Sequence, residues 1–211
     1  MVGFMGCYAA INALKLARHI VRSEPEARVL VVNLELCSLH MQQTTDIEQM
    51  LSFLVFGDGC AATLVSADPT GLAIDRFHGA LLPETGRLIT WKIRDSGFEM
   101  FLSGRVPAEI AHGIGSVAGA ILDGASADAI DLWAVHPGGR SVLDAVTSGL
   151  GLGADSLADS RSVLERFGNM SSATVMFVLE SVFARARSGE RGCAMSFGPG
   201  LTAETMLFHK V

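Results

Sequence analysis

The spacing of apolar and polar positions along the chain changes period several times, and each change marks an element. Over residues 8–20, Ile11, Leu14, Ala17, Ile20 and then Val21 recur near helical spacing, which predicts an amphipathic helix. The short apolar run at 2–5 before it suits a strand. The runs "RVLVVNLEL" (28–36), "CAATLVSA" (60–67), "LAIDRFHGAL" (72–81) and "RLITWKI" (87–93) read as strands. A helix is expected over 106–122, a strand at "AIDLWAV" (129–135) and a helix at "RSVLDAVTSGL" (140–150). The chain closes with a helical run "SSATVMFVLESVFARA" (171–186) and strands at "GCAMS" (192–196) and "TAETMLFHKV" (202–211).

Two stretches follow one plan. Gly6-Cys7, a helix, a strand, Phe56-Gly57-Asp58-Gly59 and a further strand come in the same order as Gly168-Asn169, a helix, a strand, Phe197-Gly198-Pro199-Gly200 and a further strand. FGxG alone is a weak motif; in the same place of two matched units it points to an internal repeat. Residues 71–167 supply further strands and helices ahead of the second unit, whereas only five residues precede Gly6. The expected organisation is therefore an α/β chain in two halves. Residues 1–70 form the end of a first half, and 71–211 form a complete second half. On this reading the first half is truncated upstream of Cys7.

Composition narrows the function classes. Nearly half of the 211 residues are apolar and 18% are charged, as in a globular protein with much buried surface. A net charge of −6 without a Lys/Arg cluster argues against nucleic acid as the main partner. No run of about 18 apolar residues offers a transmembrane helix, and the first residues lack the basic region of a signal peptide. Cys7, Cys37, Cys60 and Cys193 are scattered without paired spacing. They suggest neither a zinc site nor a disulfide framework, and fit a reduced, cytoplasmic setting.

Candidate chemistry lies at the junctions. Cys7 falls where the expected strand meets the first helix, and a helix N-terminus favours the reactive thiolate; a small buried hydrophobe is the alternative reading. His136 follows a buried strand and precedes Pro137-Gly138-Gly139, well placed to face a cleft or to serve as a structural histidine. Asn169 stands just ahead of a helix, where an N-cap is its default role. Together the three match the parts needed for cysteine acyl chemistry: a thiolate nucleophile, an imidazole, and N–H donors for an enolate or oxyanion.

The motifs "GCYAA", "FGDGCAA", "WAVHPGG", "RFGNMSSAT" and "SFGPGLTAET", in that order, resemble the type III polyketide synthases, the chalcone-synthase-like enzymes of the thiolase fold. The resemblance runs the length of this chain and covers the later part of a family member. "VNLELCSLHMQQ" is more similar to the bacterial branch. The resemblance implies a layered α-β-α fold with Cys7 as the nucleophile that carries the acyl chain. His136 and Asn169 then bind the thioester carbonyl and drive malonyl decarboxylation. Phe56 matches a gatekeeper phenylalanine, and the second gatekeeper position falls on Met100. Trp91, Cys37, His40 and Ser171 fall at cavity-lining positions, with Trp91 narrowing the cavity. Gly198-Pro199-Gly200 matches the family's cavity scaffold, with Ser196 in place of its first glycine. An acyl-CoA starter and malonyl-CoA are the implied substrates, with no metal, flavin or nicotinamide. The implied partner is a second copy in a homodimer, or a chain that supplies the first half. The alternatives are a non-catalytic, partner-binding remnant and a ketoacyl-ACP synthase III-like condensing enzyme.

Overall fold

The computed structural model describes residues 1–45, 47–95 and 97–211. A 3₁₀ turn, Gly6–Tyr8, leads into α1 (Ala9–Ser23), whose buried face of Ala10, Ile11, Leu14, Ala17 and Val21 is the periodic set of the sequence. β1 (Val29–Glu35) then pairs antiparallel with β2 (Gly59–Val65). Between them lie a 3₁₀ turn at Cys37–His40 and the short α2 (Ile47–Phe53). The strand expected at 2–5 does not form. Phe4 there takes a φ of 60°, which turns the backbone out of the extended region a ladder requires.

The second half begins with β3 (Leu72–Leu81), β4 (Ile89–Arg94) and β5 (Gly97–Leu102), followed by α3 (Val106–Ile121). β6 (Leu132–Val135) and α4 (Arg140–Leu150) come next, then α5 (Ala158–Phe167) and α6 (Ser172–Arg185). β7 (Arg191–Gly198) and β8 (Thr202–Lys210) end the chain. The main sheet runs β3-β8-β7-β6, with β6 and β7 parallel and the other pairs antiparallel. β6 is shorter than expected, because 127–129 form a 3₁₀ turn ahead of it. All four of its residues are buried, which is why it reads as an unbroken apolar run: both faces of the sheet are covered.

The covers differ. On one face, Ile110, Ile114 and Ile121 of α3 and Leu143 and Val146 of α4 pack with Trp133, Val135, Met195 and Leu207. On the other, α6 and α1 pack with Leu132, Ala194, Met206 and Phe208, and also with Val31 of β1. α6 therefore lies between the two sheets. That explains its sequence, which is apolar nearly all round rather than striped. Val175, Val178 and Val182 are each fully buried, a contribution of about 1.5–3 kcal/mol apiece. The repeat is real in three dimensions to this extent: α1-β1-β2 and α6-β7-β8 are each a helix followed by an antiparallel strand pair. FGDG leads into β2, and FGPG closes β7 at the turn to β8.

Candidate active site

Three junctions converge on one cavity of about 660 Å³, lined by Cys7, His136 and Asn169. Cys7 is held by the Gly6–Tyr8 turn, which packs on the turn that follows β7. Gly6 has a φ of 58°, and a Cβ there would stand 2.9 Å from Pro199 Cδ. A Cβ on Gly198 would meet Tyr8 Cδ1 at 2.5 Å, so glycine is needed on both sides of this contact between the two repeats. Gly198 and Pro199 line the cavity; Gly200 stands behind them, its φ of 75° making the turn and its carbonyl accepting from Thr85 Oγ1 at 3.3 Å.

His136 sits at the carboxyl end of β6, where its N–H donates to the Met195 carbonyl at 2.7 Å and so continues the parallel ladder. The ring is 1% exposed, and neither ring nitrogen has a hydrogen-bond partner among the described residues. Burial pushes its pKa down to about 3, so the resting ring is neutral. Asn169 joins the halves. Its N–H donates to the Val55 carbonyl at 2.8 Å and its carbonyl accepts from Gly57 N–H at 2.9 Å, a bridge that fixes Phe56 beside it at the cavity wall. Its side-chain Oδ1 accepts from Ser171 N–H at 2.9 Å, and Nδ2 donates to the Gly138 carbonyl at 3.5 Å. The residue at the N-cap position is Ser171, with φ 49° and ψ −129°. Such a backbone costs about 1–3 kcal/mol; Asn169 Oδ1 and the Thr174 hydroxyl, which donates to the Ser171 carbonyl at 2.8 Å, hold it there.

The thiol does not behave as the helix-terminus reasoning expected. Burial pushes the Cys7 pKa up to about 11, against a smaller lowering by the Ser171 hydroxyl, which accepts from Sγ at 3.8 Å, while the Glu35 carboxylate raises it further. The resting cysteine is a neutral thiol, because desolvation of the charged form outweighs the favourable dipole. Cys37 is likewise pushed up to about 12, by burial first and Glu35 second.

The remaining walls come from both halves. Cys37 and His40 lie on the turn after β1, Ser171 on the junction before α6, and all three line the cavity. Trp91 on β4 lines it too, directly opposite Met100 on β5, and meets His40 edge-on at 5.7 Å between ring centroids. Two features of the site were not anticipated. Glu35 lines the cavity and accepts from the Ser172 hydroxyl at 2.5 Å and from Ser172 N–H at 3.3 Å. Asp58 accepts from Ser38 N–H at 2.8 Å and Ser38 Oγ at 2.6 Å, tying the Cys37–His40 turn to the loop that carries Phe56. The signal for Glu35 was present: Val31, Asn33 and Glu35 share one face of β1, so a carboxylate follows inward-facing positions in an otherwise apolar strand. Among the described residues, no group of three or more His, Cys, Asp or Glu side chains could hold a metal ion, and no helix is long and apolar enough to cross a membrane.

Comparison with known proteins identifies the family. Residues 1–69 match the family model for the N-terminal domain of chalcone and stilbene synthases, and 74–211 match that for their C-terminal domain. The chain is 38% identical over 220 residues to the alpha-pyrone synthesis polyketide synthase-like Pks18 of Mycobacterium tuberculosis, covering 99% of this chain and 56% of that protein. It is 29% identical to a putative chalcone synthase of Bacillus subtilis, covering 97% of this chain and 60% of that one. The chain thus spans little more than half the length of the curated relatives it matches. The crystal structure of PKS-I from the brown alga Ectocarpus siliculosus superposes with a TM-score of 0.91 at 36% identity, over 99% of this chain and 59% of that one. That of 1,3,6,8-tetrahydroxynaphthalene synthase from Streptomyces coelicolor gives 0.89 at 32% identity, over 98% and 61%. With both domain models and these structures in agreement, the chain belongs to the chalcone and stilbene synthase family, the type III polyketide synthases, and has their thiolase-like α/β fold.

Proposed function

We propose that the cavity performs decarboxylative condensation of CoA thioesters, with Cys7 as nucleophile. Cys7 Sγ attacks the carbonyl of an acyl-CoA starter; the new S–C bond replaces the bond to CoA, and the thiol proton passes through His136 to the departing CoA sulfur. Malonyl-CoA then occupies the same cavity and loses CO₂. The resulting enolate accepts hydrogen bonds from His136 and from Asn169 Nδ2, and its carbon attacks the acyl group and expels the Cys7 thiolate. A neutral imidazole without protein partners suits both tasks, since one nitrogen can take a proton and the other can donate. The chemistry calls for no metal or redox cofactor, and the intermediates remain thioesters. The working assembly is a homodimer in a reducing, cytoplasmic setting that keeps the thiols free, as all four are here.

The observation that carries this reading is the convergence of Cys7, His136 and Asn169, from three separate junctions, on one cavity. Asn169→Ala removes the amide donor while the Cys7 nucleophile stays in place. It should slow CO₂ release from malonyl-CoA by about 10²-fold or more while acyl loading of Cys7 persists. Undiminished decarboxylation in this variant, or condensation that survives Cys7→Ala, would remove the mechanism.

A further inference from the structure

A row of polar side chains crosses the main sheet on the face that α1 and α6 cover. Along β6, β7 and β8 that face is made by Leu132 and Ala134, by Ala194, and by Met206 and Phe208. By the two-residue alternation of a strand, His136, Ser196 and Glu204 continue it. They also stand level. Val135 pairs with Met195, so His136 falls beside Ser196, and Ser196 pairs with Glu204. Ser196 is 0% exposed, and its Oγ has no hydrogen-bond partner among the described residues. A buried hydroxyl left in that state costs about 1–3 kcal/mol, and this one stands where the motif it resembles carries glycine.

Of the two neighbours of Ser196 in the row, Glu204 is turned away. Gly79 pairs with Glu204 from the far side, and a Cβ there would stand 2.9 Å from Glu204 Oε1 and 3.2 Å from Oε2. The carboxyl, with its unpartnered Oε2, therefore lies over β3. There burial raises its pKa against a smaller lowering from Lys15, His78 and Asn12. His136 is the neighbour left, with both ring nitrogens unpartnered. A Cβ on the cavity residue Gly138 would stand 3.8 Å from His136 Cδ2 and 3.8 Å from Nε2. That edge of the ring faces the cavity, and Nδ1 lies on the opposite edge.

We propose that Ser196 is a positioning residue for His136, its hydroxyl turning about χ1 to accept a hydrogen bond from Nδ1–H. Adjacent strands lie about 4.8 Å apart, so level side chains on one face are within reach of such a bond. The staggered χ1 wells of serine let the hydroxyl change direction with the backbone still. The inference rests on the thiol chemistry proposed above. A hydrogen bond at one ring nitrogen sets the state of the other, so engaging Nδ1–H leaves the Nε2 lone pair for the Cys7 thiol proton. The imidazolium formed by that transfer keeps its Nδ1–H satisfied in a buried site, where an unpaired charge is expensive. A hydroxyl also donates, so Ser196 can hold the opposite tautomer while Nε2–H donates to the enolate. Glycine in its place can do neither.

The test compares the parent with Ser196→Ala, Ser196→Gly and Glu204→Gln, each as the full chain with isotope-labelled histidine. His136→Gln assigns the His136 signals, whose ring-nitrogen chemical shifts at about pH 7 report which nitrogen carries the proton. The parent should show the Nδ1–H tautomer, and both Ser196 variants should move toward Nε2–H. Glu204→Gln should leave the tautomer as it is. With hexanoyl-CoA, both Ser196 variants should acylate Cys7 about tenfold more slowly at saturation, the effect of one hydrogen bond, with the half-saturating concentration unchanged. A merely structural hydroxyl would move neither reading, since alanine only relieves an unpartnered buried group. A parent already in the Nε2–H form, or a tautomer that follows Glu204→Gln and ignores Ser196, would overturn the proposal. So would undiminished acylation in both Ser196 variants. A tautomer that follows Ser196 in a chain that is never acylated would uphold the pairing while removing the thiol chemistry, so the two can fail separately.

Discussion

Replacing His136 by glutamine tests whether this ring is held neutral by burial, as the site requires. The ring is 1% exposed with both nitrogens unpartnered, and its pKa is pushed from an ordinary 6.5 to about 3. In the unfolded chain the ring takes up a proton below pH 6.5, while in the folded chain it stays neutral until about pH 3. Between these values the unfolded state binds more protons, so stability falls as pH drops through this window and is fully present above it. At about pH 4.5, two units into the window, the loss from this one residue is about 3 kcal/mol. That is a large share of a domain stability of about 5–15 kcal/mol. The assay is urea unfolding of the parent and His136→Gln at about pH 7 and about pH 4.5, with equal slopes as the check on two-state behaviour. Comparing the acid loss within each protein cancels the cost of the substitution and the shared carboxylates. The parent should lose about 3 kcal/mol more than the variant; equal acid losses would refute the buried, uncharged imidazole.

Three other outcomes follow from the same geometry. With iodoacetamide near neutral pH, the exposed Cys60 should react first and the fully buried Cys193 last. Cys7 should react slowly at a rate that climbs toward pH 11, and Glu35→Gln should speed it; labelling of Cys7 ahead of Cys60 would contradict a neutral thiol. Gly192→Ala would drive a Cβ into the Phe208 ring, which is 1% exposed and cannot move aside, and should cost roughly 1–3 kcal/mol in thermal unfolding. An unchanged melting temperature would sink that packing claim. Met100→Phe enlarges a cavity wall opposite Trp91 and should shorten the product chain seen by mass spectrometry; an unchanged product profile would place Met100 outside the growing chain's path.

Much of this was legible in the residues because local period and local packing agree. α1 and α4 follow their apolar spacing, and "LAIDRFHGAL" is β3 residue for residue. α5 escaped because it buries only Ser160 and Val163, leaving no apolar stripe to read. Residues 2–5 misled because an apolar run has no ladder to join there and Phe4 turns away. The junctions that carry Cys7, His136 and Asn169 were visible as breaks between periods, and the structure brings all three to one cavity. What could not be read was the environment of the thiol. A helix terminus is a local feature, whereas desolvation depends on α6, β7 and β1 meeting around Cys7, a non-local outcome. The bridge between Phe56 and Asn169 is non-local in the same sense, since it links residues more than a hundred positions apart.

The most direct test of the central claim is intact and peptide mass spectrometry of the protein after incubation with hexanoyl-CoA. The account predicts one hexanoyl adduct, on the peptide that holds Cys7, lost in Cys7→Ala and retained in Cys37→Ala. An adduct carried by Cys37 or Cys60 in place of Cys7, or a folded protein left unmodified, would contradict it.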